Sequence, residues 1–468
     1  MSTRKEKNIY WLSSAPVARA LVALSIPTIV SQMIAVIYNL ADTLFIGRLN
    51  DPSQVAAVTY TLSLMILFNA VANLFGVGGS AFIAHALGRG DRNAARKAAS
   101  FALFSGLALS VIYMFVIAAF QDAIYPALGA TGDSLRHVRE YAFFTVVLGT
   151  LPAVMNPLLA HLLRGEGHAF GASFGVALGG ILNILLDPLF IFAMGMEVAG
   201  AGLATFLSNV IACVFLIIYT ITKRSSTVVN MNPKNVVVGK ESVKEILAAG
   251  LPNFVISIMA SSSNMVGNYL FSSYGDQIVA GWGIARKIDI LAFAIAQGMT
   301  QGSLPLISYA YSSKKKERLF KSIKLSFAFA MVMGVVGALL LFFLARPASQ
   351  LFIEDETTVF YAEQFTRILS ITCITTAPAF MVITVFQSMG RRWQPFFLSF
   401  FRKGVFNIIF SIIFSFSLGE YGIAAATPAA DFLAMCVSLT LFFIYYRKFK
   451  AEMEVVPSEE PSPQADNS

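Results

Sequence analysis

The chain is short of charge, of cysteine and of histidine, and each shortage closes off a class of function. Only 13% of its 468 residues are Asp, Glu, Lys or Arg. An ordinary soluble chain carries about 25%, so there is too little charge here to cover a water-facing surface. Cys213, Cys373 and Cys436 stand apart in apolar stretches, with no pair at disulfide, redox or metal spacing. They are expected to be small buried hydrophobes. His85, His137, His161 and His168 fall near loops or helix ends without ligand spacing, and neither a metal site nor a cofactor is expected. No Gly-x-x-x-x-Gly-Lys-Ser/Thr run occurs to cradle a nucleotide phosphate, which removes a primary pump. No nucleophile–base pair or acidic metal motif lies within an apolar segment, so no catalytic residue and no enzyme is expected.

What is present is apolar. Hydrophobic residues make up 56% of the chain, and the mean hydropathy is +0.69, so lipid must be the solvent for much of it. Stretches such as 111–120, 213–221 and 332–344 sit in windows of about twenty apolar residues, long enough to cross hydrocarbon as helix. They lack the polar–apolar alternation of a β-barrel. Apolar windows and their breakers place helices near 21–46, 54–82, 98–120, 138–162, 169–194, 199–222, 246–273, 277–309, 321–345, 360–388, 395–418 and 422–446. The fold class is therefore an all-α membrane protein of twelve transmembrane helices, with the bilayer as its standing partner.

Loop charge sets the orientation. Basic residues gather at Arg4–Arg19, Arg89–Lys97, Lys223–Lys244, Lys314–Lys324, Arg391–Arg392 and Arg447–Lys450, all on one side if there are twelve spans. The alternate loops hold few, chiefly Arg48, Arg136, Arg139 and Arg346. This bias puts both termini in the cytoplasm, in a cell (inner or plasma) membrane. The net charge of +8 is spent on those loops, so no nucleic-acid face is expected. No small-residue cleavage site follows the basic start, and no removable signal peptide is expected.

The chain repeats itself. Leu24-Ser25-Ile26-Pro27 answers Ala249-Gly250-Leu251-Pro252, and Asn39 answers Asn264 at the same offset of 225. Asp51 with Gln54 answers Asp276 with Gln277, Gly79-Ser80 answers Gly302-Ser303, Pro152 answers Pro378, and Asn183 answers Asn407. Two six-helix lobes in parallel orientation follow, a common transporter plan. The expected divisions are a cytoplasmic segment 1–20, a first lobe 21–222, a linker 223–245, a second lobe 246–446 and a disordered tail 447–468 rich in Pro, Ser and Glu.

This plan resembles the multidrug and toxic compound extrusion (MATE) family. The residues that carry the likeness are Pro27, Gln32, Asn39-Leu40-Ala41-Asp42, Ile46-Gly47, Val55-Ala56-Ala57, Asn183–Pro188, Gly200–Thr205, Gly302-Ser303 and the Gly390 region. The likeness covers nearly the whole chain, roughly residues 15–450. The chain is most similar to the prokaryotic branch that includes a staphylococcal multidrug exporter. The sodium-linked branch carries an acid in helix 7 shortly after the proline; the stretch Ile256–Ser261 has none, so that branch's second-lobe cation site is not carried over. The resemblance implies a monomeric antiporter that exports small, often cationic or lipophilic organic compounds in exchange for H⁺, or less favourably Na⁺. A flippase for a lipid-linked saccharide is the second reading. It would want cations lining its cavity, for which Arg286, Lys287, Arg402 and Lys403 are the candidates.

Charges inside a bilayer each require an account. Asp42 and Asp187 lie within about two turns of the outer ends of helices 1 and 5, roughly 6–10 Å by helix rise. Thr205 reaches the same level in helix 6, and Asn183 shares the face of Asp187 four residues on. Two carboxylates, an amide and a hydroxyl thus converge in the first lobe. They can ligate a hard cation or share one proton. The plainer reading is that either acid caps or braces a helix bent at Pro188. Along the repeat Asp42 maps to Gly267, Asp187 to Ser411 and Thr205 to about Ala425, so the chemistry is expected in the first lobe alone. Asn156 resembles a family position beside this site, although helix rise puts it further inward. Asp289, one turn from Arg286, and Asp431 are candidates for substrate contact or a second coupling site; a structural ion pair is the plainer role for Asp289. Arg402 and Lys403 are expected to snorkel toward the cytoplasm. Some of the 41 Phe and 17 Met are expected to line a pliable cavity, which ones being undecided.

Overall fold

Without water at hand, a long apolar segment satisfies its backbone groups only by closing them on itself as helix, and the described chain is helical almost throughout. The structure, a computed structural model, describes residues 10–455 except 50, 129, 131, 272, 273, 275, 354 and 392. The first lobe contains α1 (Val17–Gly47), α2 (Pro52–Gly88) and α3 (Arg92–Ala127). Next come α4 (Gly132–Ala142 through Phe143–Leu148 into Thr150–Gly165), α5 (Ala169–Pro188 with Leu189–Ala193) and α6 (Glu197–Thr222). The second lobe contains α7 (Lys240–Phe271), α8 (Asp276–Ser312), α9 (Lys316–Gln350) and α10 (Glu356–Ser388). Its last two helices are α11 (393–418) and α12 (420–455), one helical run divided at Gly419, whose φ of 60° and ψ of −140° suit glycine alone. Among the described residues nine such stretches, with α11 and α12 taken together, are long and apolar enough to cross a bilayer, and the bent α4 makes ten.

Several helices overrun their apolar windows because capping residues start them early. Asp51 accepts from Ser53 N and starts α2 at Pro52, and Asp91 accepts from Ala94 N and starts α3 at Arg92. Helix α7 begins at Lys240, before the expected linker end at 245, and α12 runs past 446 to Val455. The remaining tail, 456–468, and residues 1–9 of the N-terminal segment lie outside the described residues.

The lobes meet chiefly through α2 with α7 and α1 with α8, and also through α2 with α8. There Gly78 faces the Ile246 carbonyl, and Gly250 faces the Leu74 carbonyl so closely that a Cβ at either would overlap the backbone opposite. Val77, Ala81, Ala249 and Leu304 pack together beside them. His85 of α2 bonds Glu245 of α7 (2.8 Å) and the Ser388 carbonyl of α10. Arg164 is buried in the same seam, with its nearest bonds to Gln301 (3.3 Å) and Ser31 (3.3 Å), while Gln32 donates to Gln301 at 2.9 Å. Asn39, Thr59 and Asn69 are exposed in the outer halves of α1 and α2, and exposed polar side chains belong beside water rather than lipid. The contacts named here join the lobes at the basic end, and the exposed polar side chains nearer the opposite end suit an opening to water there.

The linker is fastened to the first lobe. Glu166, between α4 and α5, accepts from the Thr227 hydroxyl and from Val228 N (2.6 Å), while Val228 and Val229 join the first-lobe core. Burial raises the Glu166 carboxyl from 4.5 to about 7, against those two hydrogen bonds and Arg92, which pull it down. The folded state therefore holds this proton more tightly than the unfolded chain. Its contribution to stability is full below pH 4.5 and is lost as pH rises through about 7. The thermal midpoint of Glu166→Gln should accordingly fall less between pH 5 and pH 8 than that of the native chain; equal slopes would refute the assignment.

Candidate functional site

In the first lobe the sequence brings acids to helix faces that small residues allow to come close. Gly180 of α5 sits against Ile34 and Tyr38 of α1, and Gly179 against Ala212 of α6. That approach carries Asn183 and Asp187, one and two turns further along α5, in between α1 and α6. Pro188 follows, lacks an N–H, and the helix continues as the wider π turn Leu189–Ala193.

The resulting cluster is dry. Asp42 is 7% exposed and Asp187 fully buried, with Asn183, Thr205 and Asn156 also buried. Asn183 Nδ2 donates to Asp187 Oδ1 (3.2 Å) and to Thr205 Oγ1 (3.2 Å). Tyr141, from α4, donates its hydroxyl to Asp42 Oδ2 (3.2 Å), and both carboxylates act electrostatically on that phenol. Asp42 Oδ1, Asp187 Oδ2 and Asn183 Oδ1 are buried without a hydrogen-bond partner. Among the described residues no lysine or arginine pairs with either acid. Two carboxylates, three unpartnered oxygens and no counter-cation make a place that must take up positive charge. The oxygens suit a proton or a hard monovalent cation. Asn156 lies one turn inward, its amide against Gly179 and its Oδ1 likewise unpartnered.

Three features depart from expectation. The second-lobe counterpart of Thr205 is Thr427, not Ala425: Asn407 Nδ2 donates to Thr427 Oγ1 at 3.1 Å, as Asn183 does to Thr205. The repeat is two residues out of phase there because helix packing, not the residue count between helices, sets which side chains face. The amide–hydroxyl bond is thus common architecture, and only the two carboxylates distinguish the first lobe. Arg402 and Lys403 do not snorkel. Arg402 is buried and bonds Asp431 (Nε to Oδ1, 3.0 Å), and Lys403 approaches the same acid at 3.4 Å, because an internal carboxylate is a nearer partner than the distant interface. Tyr141 and Arg164 went unnoticed in the sequence. Tyr141 stands beside the basic, helix-end residues of α4 and carries no motif, but a search for hydroxyls at the depth of Asp42 would have found it. As for the other second-lobe candidate, Asp289 pairs with Arg286 (3.0 Å) and accepts from Thr372 (3.1 Å).

The chain matches the MatE family over residues 27–189 and 252–413, one stretch in each lobe. It is 29% identical to the multidrug export protein MepA of Staphylococcus aureus over 445 residues, 94% of this chain and 96% of the relative. It is 26% identical to MepA of Staphylococcus haemolyticus over 94% of this chain and 96% of that one. Among solved structures, an outward-facing multidrug resistance MATE family transporter of the MOP superfamily superposes with a TM-score of 0.88. That structure is 27% identical and covers 96% of this chain and 99% of its own. A MATE in a straight conformation also gives 0.88 at 26% identity, again over 96% and 99%.

Proposed function

The chain belongs to the MatE family, and from that premise we propose that it is a secondary antiporter, exchanging inward-moving protons for small, often cationic or lipophilic organic compounds. The observation that carries the proposal is the dry pair Asp42 and Asp187, with three buried oxygens lacking donors and no basic partner. Such a pair binds a proton or compensates an organic cation, but not both cheaply. That exclusion is what coupling requires: ion and substrate need only prefer different states of the lobe. With the basic end in the cytoplasm, the opening at the other end faces outward and the pair is loaded from outside. Proton uptake removes the charge that favours a cationic guest, and the guest leaves through that opening. The name of the relatives, multidrug export protein, supports export of varied compounds. Both termini then lie in the cytoplasm, the protein sits in the cell membrane, and one chain is the transporting unit.

The test is efflux of a fluorescent lipophilic cation from vesicles carrying the protein, with pH and Na⁺ gradients imposed separately. A proton gradient should drive efflux and a Na⁺ gradient alone should not. A response to Na⁺ alone would overturn the choice of ion, and no response to either would overturn coupling. The flippase reading loses support from the second lobe, where Arg286, Arg402 and Lys403 are engaged by Asp289 and Asp431 rather than arrayed for a pyrophosphate.

A further inference from the structure

Arg164 is a buried cation without an acid. It stands in the last turn of α4, at the basic end, and is 3% exposed; a guanidinium keeps its proton even there. Among the described residues no carboxylate forms an ion pair with it. Its neighbours are neutral oxygens: Gln301 Oε1 and Ser31 Oγ, each at 3.3 Å, and Ser173 Oγ at 3.5 Å. Nε is buried with no hydrogen-bond partner. Ser31 donates its own proton to the Thr28 carbonyl (2.9 Å), and Gln32 donates to Gln301 Oε1 (2.9 Å). Both acceptors are thereby left turning lone pairs to the guanidinium. Dipoles of this kind soften a charge without cancelling it, and a buried cation left uncancelled is costly.

The charge stands across the seam between the lobes. Ser31 and Ser173 belong to α1 and α5 of the first lobe and Gln301 to α8 of the second, so Arg164 is bonded to both at once. Ser31 precedes Asp42 by eleven residues on α1, about 16 Å by helix rise. Arg164 therefore lies between the carboxylate pair and the basic loops. The seam about it is polar. Ser25, Thr28 and Ser31 are buried in α1, where Gly298 and Gly302 of α8 pack against Ile29 and Ser25. A row of hydroxyls and amides is more permeable to a proton than a hydrocarbon seal. A fixed positive charge is one means by which a polar pathway rejects protons and other cations.

We propose that Arg164 is the charge barrier of the transporter: its guanidinium stops protons and other small cations from slipping from the first-lobe acids to the cytoplasm while the lobes are joined at the basic end. The proposal deepens the antiporter reading and rests on it, because a leak past the seam would dissipate the gradient without moving a guest. Gln301 belongs to the opposite lobe. Separation of the lobes at that end takes this partner away and brings the guanidinium to water, so the barrier falls only when the ion is due to leave.

The test is passive flux in proteoliposomes that hold no organic substrate, with the membrane potential clamped by potassium and valinomycin. A pH step is followed with an internal pH dye, chloride entry with a chloride-quenched dye and glycerol entry by light scattering. The native chain should be tight to all three. Arg164→Gln should pass protons about tenfold faster or more, with chloride and glycerol unchanged, and Arg164→Lys should stay tight. Gln301→Glu reaches the same charge from the other lobe: a carboxylate beside an intact Arg164 cancels its field and should open the same proton leak, so the outcome does not depend on one variant folding. Chloride and glycerol rising together with protons would mean a broken seal rather than a lost charge, and would overturn the proposal. So would unaltered proton flux in both variants, or a native chain that itself leaks protons. Tight native vesicles with proton-leaky variants support the barrier even where gradient-driven efflux is missing, an outcome that sinks the antiporter reading alone.

Discussion

Asp42→Asn and Asp187→Asn should each abolish proton-driven efflux while leaving a folded protein in the membrane. Each replacement keeps the shape of the side chain and removes the charge that a proton or a guest must neutralise. Coupling free energies are typically about 1–3 kcal/mol, roughly 5- to 150-fold in affinity, and with the charge gone that differential has no source. The expected result in vesicles is loss of gradient-driven efflux by one to two orders of magnitude on that scale, with facilitated, gradient-independent leak of the dye permitted. Either variant retaining gradient-driven efflux at the native rate would defeat the coupling assignment. Asn183→Ala and Thr205→Ala make the internal control. Their mutual bond recurs as Asn407–Thr427 in the other lobe, so they should lower thermal stability more than they change the dependence on pH.

Gly78→Val and Gly250→Val should shift the resting conformation toward one open at the basic end. At these two positions a side chain would overlap the carbonyl of Ile246 or of Leu74 on the helix opposite, and backbone cannot swing aside as a side chain can. Overpacking of a tight contact costs about 1–3 kcal/mol, and a shift of that size changes a two-state ratio by roughly 5- to 150-fold. An alternating-access cycle that cannot close one gate does not turn over, so transport should be lost with the protein still inserted. The measurement is labelling of a single cysteine placed at Ala81 in a background lacking Cys213, Cys373 and Cys436. Ala81 is 2% exposed and packs in the seam. Its labelling from the basic side should rise sharply in either glycine variant. Unchanged labelling with full transport would show that the seam does not gate the cycle.

Much of this protein was legible in its sequence. The α class followed from apolar windows longer than a bilayer core is thick, because a backbone in lipid has no partner but itself. The parallel lobes followed from paired motifs such as Leu24–Pro27 with Ala249–Pro252. The helix ends did not follow, since Asp51 and Asp91 cap α2 and α3 well outside the apolar stretch, and hydropathy is blind to caps. The convergence of Asn183, Asp187 and Thr205 was visible as common depth, which helix rise alone supplies. Tyr141 shares that depth but carries no motif, and only packing decides that its hydroxyl turns to Asp42.

By itself the sequence determined which charges are present in the membrane and roughly how deep they lie, for depth is a matter of counting along a helix. Only the tertiary structure decided which of them meet. Rotation about each helix axis, the π turns after Pro188 and at Phe401, and the approach of backbones at Gly78 and Gly250 are set by packing between helices. It is those three that left Asp42 and Asp187 without a cation, gave Asp431 two, and joined the lobes at one end.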